Sequence, residues 1–224
     1  ERYAVTLSGA DDVELAWFAP DGTPTARILR PAGITRPPPD AFAVAGDRML
    51  LAQLVKREDG THAARAAITT TDREPELVAE GSVPGSPASA VPSARVPGAF
   101  VLSSRDTHSS LLHRVAPDGS SAFLDRFERH DLSLRQTVAV PDPGDRGLAW
   151  IAERGSVTDR SIGLQHDGRR LLWDRFGQQI GAIDATRDGR GWAVSAAVGN
   201  DPDGGGGQTW VSILAGRGAR AARM

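Results

Sequence analysis

The sequence predicts an all-β fold assembled from about five copies of one small antiparallel unit. Three observations carry that prediction. A long phrase occurs twice: Asp118-Gly119-Ser-Ser-Ala-Phe123-Leu124-Asp125-Arg126-Phe127 returns as Asp167-Gly168-Arg-Arg-Leu-Leu172-Trp173-Asp174-Arg175-Phe176, and each shared residue is displaced by 49 positions (118 to 167, 125 to 174). A shorter phrase, Ala19-Pro20-Asp21-Gly22, returns as Ala116-Pro117-Asp118-Gly119. Short β-prone runs bounded by Gly, Asp and Pro recur along the chain, and capped helix-period stripes are hard to find. Self-similarity at a fixed offset in this range is the signature of a repeat architecture.

Taken in order, Ala4–Leu7 is a short β run and Ser8–Asp12 has turn chemistry. Val13–Ala19 follows as an aromatic strand, and Pro20-Asp21-Gly22 turns the chain into Thr25–Leu29. Residues 31–40, with Pro31 and Pro37-Pro38-Pro39, read as a stiff connector. Phe42–Val44, a turn at Ala45–Arg48 and the apolar Met49–Val55 repeat the pattern, with further strands at Ala63–Thr69 and Glu76–Ala79. Gly81–Pro97 is rich in Pro, Ser and Ala and reads as a long connector. Strands then follow at Gly98–Ser103, Ser109–Val115, Ala122–Leu124, Thr137–Val140, Gly147–Ala152, Ser161–Leu164 and Leu171–Trp173. The last segment offers Ala182–Ala185, Gly191–Ala196 and Thr209–Leu214.

The repeating phrase is a short β run, a polar Gly/Asp turn and an apolar or aromatic strand. Its second strand is anchored at Leu15, Leu51, Val101, Leu148 and Trp192, with steps of 36, 50, 47 and 44. Steps in the forties, each holding three or four short strands, suit a β-propeller blade of about 45 residues. A single blade cannot bury both faces alone, so blades pack side by side. We therefore expect one β-propeller domain over residues 1–224 with five blades, and a β-sandwich is the alternative. The chain resembles the β-propeller repeat proteins common among exported bacterial proteins. The resemblance is one of architecture: a Ser-x-Asp-x-Gly-x-x-Trp box is absent, and Trp173-Asp174 lacks the Gly-His partner of a WD40 blade. In closed propellers an N-terminal strand often completes the last blade, a role that falls here to Val5 or Ile28.

Composition narrows the functions. Twenty-six basic against 28 acidic residues leave a net charge of −2, which argues against nucleic acid or an anionic membrane as partner. Lys56 is the one lysine, and the Arg, Ala, Gly and Pro content reads as the coding bias of a GC-rich bacterium. With no cysteine, disulfides and thiolate chemistry are excluded. No apolar run is long enough for a membrane span. A chain opening on Glu1 suits either a mature exported protein or a trimmed form, and we expect a periplasmic or secreted location.

Candidate sites are weighed against structural roles. Asp40, Asp47, Asp145, Asp184 and Asp188 lie near strand starts, where converging acids serve a glycosidase, but most sit beside Gly or Pro, and turn roles are favoured for them. His62, His108, His113, His130 and His166 show no His-x-His or His-x-x-x-His spacing and are expected to face solvent. In Asn200–Gly207, Asp201-x-Asp203-Gly204 is similar to part of a calcium loop, but the first and twelfth ligand positions would be Gly199 and Trp210. A hairpin loop is the expected role there, with Asp201 and Asp203 as an alternative calcium pair. Trp17, Trp150, Trp173, Trp192 and Trp210 recur in matching strand contexts; core packing is favoured, and Trp17, Trp150 and Trp192 form the alternative ligand platform of a lectin. Arg126-Phe127 and Arg175-Phe176 read as strand-end packing with a solvated guanidinium.

The expected function is a non-catalytic binding or accessory subunit of an exported bacterial assembly, with a rigid propeller as scaffold and no cofactor. Its partner would be another protein or a multi-subunit assembly. A carbohydrate-binding propeller is the first alternative, with a glycan as ligand, and a glycoside hydrolase the second.

Overall fold

The computed structural model describes residues 3–8, 13–19, 21–29, 39–56, 58–60, 62–71, 76–106, 109–128, 133–153, 160–166, 169–173, 179–188, 191–199 and 207–215, with side chains chiefly between 39 and 166. All the regular structure among these residues is β-strand. The strands form five antiparallel sheets in chain order. The first holds β1 (Tyr3–Ser8), β2 (Val13–Phe18) and β3 (Pro24–Leu29). The second holds β4 (Ala41–Ala45), β5 (Arg48–Lys56), β6 (His62–Thr70) and β7 (Leu77–Val83). The third holds β8 (Ser86–Pro92), β9 (Phe100–Arg105), β10 (Ser109–Val115) and β11 (Ser121–Glu128). The fourth holds β12 (Ser133–Val140), β13 (Gly147–Glu153), β14 (Arg160–His166) and β15 (Arg169–Trp173). The fifth holds β16 (Gln179–Asp188), β17 (Gly191–Gly199) and β18 (Gly207–Ala215). Each sheet is a meander in which sequential strands pair. The anchors Leu15, Leu51, Val101, Leu148 and Trp192 all lie on the second strand of their sheets.

Neighbouring sheets meet along their first strands: β4 lies against β8, β8 against β12, and β12 against β16. This is the β-propeller arrangement, with first strands innermost and fourth strands outermost. The core lies between sheets. Leu50, Ala52, Ile68 and Val83 of the second sheet pack on Phe100, Leu102 and Val115 of the third. Val101, Leu112 and Phe127 of the third pack on Leu134, Leu148, Trp150 and Ala152 of the fourth. Phe100 and Leu102 thus face one neighbour while Val101 faces the other. A strand covered on both faces needs apolar residues at successive positions, and β13 is buried at every residue.

Two expectations are corrected. Gly81–Pro97 is not one long connector, because Ser86–Pro92 forms the inner strand β8. Pro87 and Pro92 are tolerated there because β8 is an edge strand of its sheet, and the register shifts between Pro87 and Ser89. Val5 and Ile28 do not complete the last sheet: Val5 pairs with Ala16 and Ile28 with Leu15, both inside the first. The stiff connector at 31–40 lies mostly outside the described residues.

Candidate functional site

The sheet-to-sheet packing leaves an open cavity of about 210 Å³ where the first strands begin. Asp40 stands just before β4, Ser86, Pro87 and Ala88 open β8, Arg105 ends β9, and Gln136 and Thr137 lie on β12. Three successive sheets therefore contribute to one wall, which a single sheet cannot form. Asp40 Oδ2 accepts the Leu54 amide at 2.5 Å, tying the residue to β5. Thr137 is buried, and its hydroxyl shares a hydrogen bond with Ser103 Oγ at 3.1 Å. Arg105 is exposed, and one guanidinium nitrogen donates to the Arg135 carbonyl. Beside it Arg135 donates to Glu153 Oε1 at 2.5 Å. Glu153 is 5% exposed, and this hydrogen bond raises the Arg135 pKa above its ordinary value.

The opposite end of the sheets is closed by a buried ion pair. Asp145, in the turn between β12 and β13, is 1% exposed and adopts φ 59°. Its carboxylate accepts Ser93 Oγ at 2.6 Å, the Ala94 amide at 2.9 Å, and Arg114 Nε and Nη2 at 2.9 and 2.8 Å. One carboxylate thus clamps the β8–β9 loop and β10 of the third sheet to the fourth. Four donors on one buried carboxylate are the compensation that burial of a charge requires.

Most residues singled out in the sequence do not meet in the cavity. Of the five candidate acids, Asp40 lines it. Asp47 sits in the hairpin turn between β4 and β5, and Asp145 is the clamp. Asp184 and Asp188 lie on β16, where side chains are outside the described residues. Trp150 is 1% exposed, with its ring 4.1 Å from that of Phe127 and its other side over Gly163. It has no open face for a sugar and packs in the core. Trp17 and Trp192 lie on β2 and β17, Trp173 and Trp210 on β15 and β18, with side chains outside the described residues. Asp201 and Asp203 also lie outside them. Among the described residues no group of three or more His, Asp or Glu side chains is placed to hold a metal ion.

His113 is corrected too. Expected at the surface, it is 3% exposed on the middle strand β10, edge-on to the Phe123 ring at 5.9 Å, and burial lowers its pKa. His62 is exposed, while His108 and His130 fall outside the described residues. Phe127 is buried and Arg126 stays exposed, paired with Glu128 at 3.0 Å, as the strand-end reading expects. Arg175-Phe176 is not among the described residues.

Sequence reasoning missed Arg105, Ser86, Gln136 and Thr137. One signal was present. Arg105 is the last residue of β9 as Glu153 is of β13, so a charge recurs at the mouth end of the second strand.

Comparison with known proteins supports the architecture. No protein-family model matches the chain. No curated protein matches it either. Among solved structures, Kuenenia stuttgartiensis hydrazine synthase superposes with a TM-score of 0.56 at 14% identity, over 94% of this chain. The chain spans 59% of that protein's length. The β-propeller domain of Myceliophteria thermophila Cps50 (Swd1) gives a TM-score of 0.56 at 8% identity, over 99% of this chain and 73% of that one. A protein from Lactobacillus plantarum gives 0.51 at 11% identity, over all of this chain and 80% of the other. At such identities the likeness is one of fold, and the fold of this chain is that of a β-propeller.

Proposed function

We propose that this chain is a single-domain, non-catalytic binding module that serves as an accessory subunit of an exported bacterial assembly, in the periplasm or outside the cell. Propeller domains in general mediate interactions, because a rigid scaffold presents loops from several blades on one face. The observation that supports this reading most directly is the locking of adjacent sheets. An inter-sheet apolar core and the Asp145–Arg114 clamp hold the third and fourth sheets in one arrangement. A scaffold of that kind does not have to order its sheets on binding. Among the candidate acids with described side chains, Asp40 lines the cavity, Asp47 sits in a hairpin turn and Asp145 serves the clamp, which further supports a non-catalytic role.

The test is a tagged pull-down from the membrane and periplasmic fractions of the source organism, followed by reconstitution from purified components. A defined set of proteins recovered in fixed stoichiometry, and rebuilt from its purified parts, is the expected result. Recovery of the chain alone from every fraction would remove the subunit reading.

A further inference from the structure

We propose that the cavity at the strand-start end is a carboxylate-binding site, with Arg105 as its anchor and a small amino- or hydroxy-substituted acid as its ligand class. This deepens the binding reading above and rests on it.

Two arginines stand at this mouth, and they are not equivalent. Arg135 is neutralised locally by the buried Glu153. Arg105 has the Arg135 carbonyl as its partner among the described residues, and that acceptor carries no full charge. The contact uses one of its three nitrogens, and the rest of its planar fork carries further N–H donors. A fork with spare donors matches the geometry of a carboxylate, which it binds through two parallel hydrogen bonds.

The other wall groups narrow the ligand. Ser86, Gln136 and Thr137 supply hydroxyl and amide groups. Thr137 is immobilised by Ser103, so its position does not have to be ordered on binding. Asp40 places a negative charge in the same cavity. It disfavours a dianion such as phosphate and favours a ligand carrying an ammonium or hydroxyl donor beside its carboxylate. A volume of about 210 Å³ corresponds to roughly seven waters at liquid density, the size of one amino acid or one sugar acid. A carboxylate with a hydrogen-bond donor near it has two sources: a free amino or hydroxy acid, or an acidic residue of a polypeptide with its backbone N–H.

The experiment is an NMR titration of the full chain with glucuronate, L-glutamate and N-acetyl-glutamate methylamide. Glucose, glutamine and N-acetyl-glutamine methylamide serve as uncharged controls. The readouts are the Arg105 Nε–H signal and the backbone amides of Ser86, Gln136 and Thr137. We expect saturable shifts with at least one acid, weaker by tenfold or more with its control and in Arg105→Gln. Arg126→Gln, which alters an exposed arginine on β11, leaves the affinity unchanged. In a parallel titration with acetate as the simplest carboxylate probe, Asp40→Asn strengthens binding several-fold by removing the like charge, and this variant tests the site even where Arg105→Gln fails to fold. A response to the blocked glutamate alone identifies a polypeptide source, and a response to a free acid a small-molecule source. Equal shifts with the controls, full affinity in Arg105→Gln, or no saturable response to any acid overturns the proposal. An unresponsive cavity in a chain that still assembles removes the carboxylate site alone. Carboxylate binding in a chain with no assembly removes the subunit reading alone.

Discussion

Asp145 joins two sheets through one carboxylate. Its carboxylate is buried and serves four donors, so removing it leaves Arg114 and the Ser93 loop without their acceptor. Asp145→Ala is expected to destabilise the fold by about 3 kcal/mol, measured by urea unfolding at pH 7. A loss under about 1 kcal/mol would mean that water replaces the clamp readily. Asp→Asn at this site retains the size and part of the acceptor capacity, so its loss is smaller. His113 makes a pH prediction. Burial lowers its pKa from 6.5, so the folded protein keeps the ring neutral while the unfolded chain takes up a proton near its ordinary value. The stabilisation from the neutral ring is complete above about pH 6.5 and is lost as pH falls from there towards the lowered folded value. Urea midpoints at pH 7.5 and 5.5 should therefore converge in His113→Gln relative to the parent. An identical pH slope in the two proteins would refute the assignment. Both residues show the limit of single-position reading. Asp145 looks like a turn residue, as it is, but nothing in its neighbours announces that Ser93 and Arg114 will reach it.

At the level of elements, hairpin chemistry was the most legible feature. The two Ala-Pro-Asp-Gly phrases make closely similar turns. Gly22 donates to the Ala19 carbonyl and Gly119 to the Ala116 carbonyl, each at 2.9 Å, and both glycines take positive φ, 84° and 82°. Thr23 and Ser120 donate backbone amides to Asp21 and Asp118, each at 2.9 Å. Asp21 is held below the ordinary carboxylate range chiefly by its backbone bond from Thr23, and Asp118 chiefly by the Ser120 hydroxyl. Yet one turn joins the second and third strands of its sheet and the other the third and fourth. The phrase encodes a hairpin, not a position within the repeat. Gly119 has a second duty, because a Cβ there would stand 2.8 Å from the Glu80 carbonyl oxygen on β7 of the next sheet. Gly119→Ala is therefore expected to lose about 2 kcal/mol, against about 1 kcal/mol for Gly22→Ala, where nothing lies within 4 Å. Equal losses in thermal or urea melts would show that the close approach is relieved without cost. Trp150 and Gly163 are cross-strand partners with the indole lying over the glycine. Gly163→Ala is expected to displace that ring, read as a change in tryptophan fluorescence together with a lower melting temperature.

For the molecule as a whole, stability is shared between sheets, so cooperativity depends on the interfaces. Hydrogen exchange should be slowest in β9 and β13, which are covered on both faces, and faster in the outer strands β7 and β11, where Leu77, Val78 and Phe123 are exposed. Uniform protection across each sheet would contradict this gradient. Asp145→Ala is further expected to broaden the calorimetric transition by uncoupling the third and fourth sheets. The sequence by itself determined the all-β class, the hairpins and the second-strand anchors, because turn residues and apolar runs act through near neighbours and leave a local trace. It misjudged β8, since prolines signal a connector unless an edge position spares them the need to donate. Only the tertiary structure decided which faces are buried, that Asp145 clamps two sheets, that His113 is interior, and that Asp40, Arg105 and Thr137 line one cavity. Those relations join residues from different sheets, and the pairing of sheet faces leaves no periodicity in the chain.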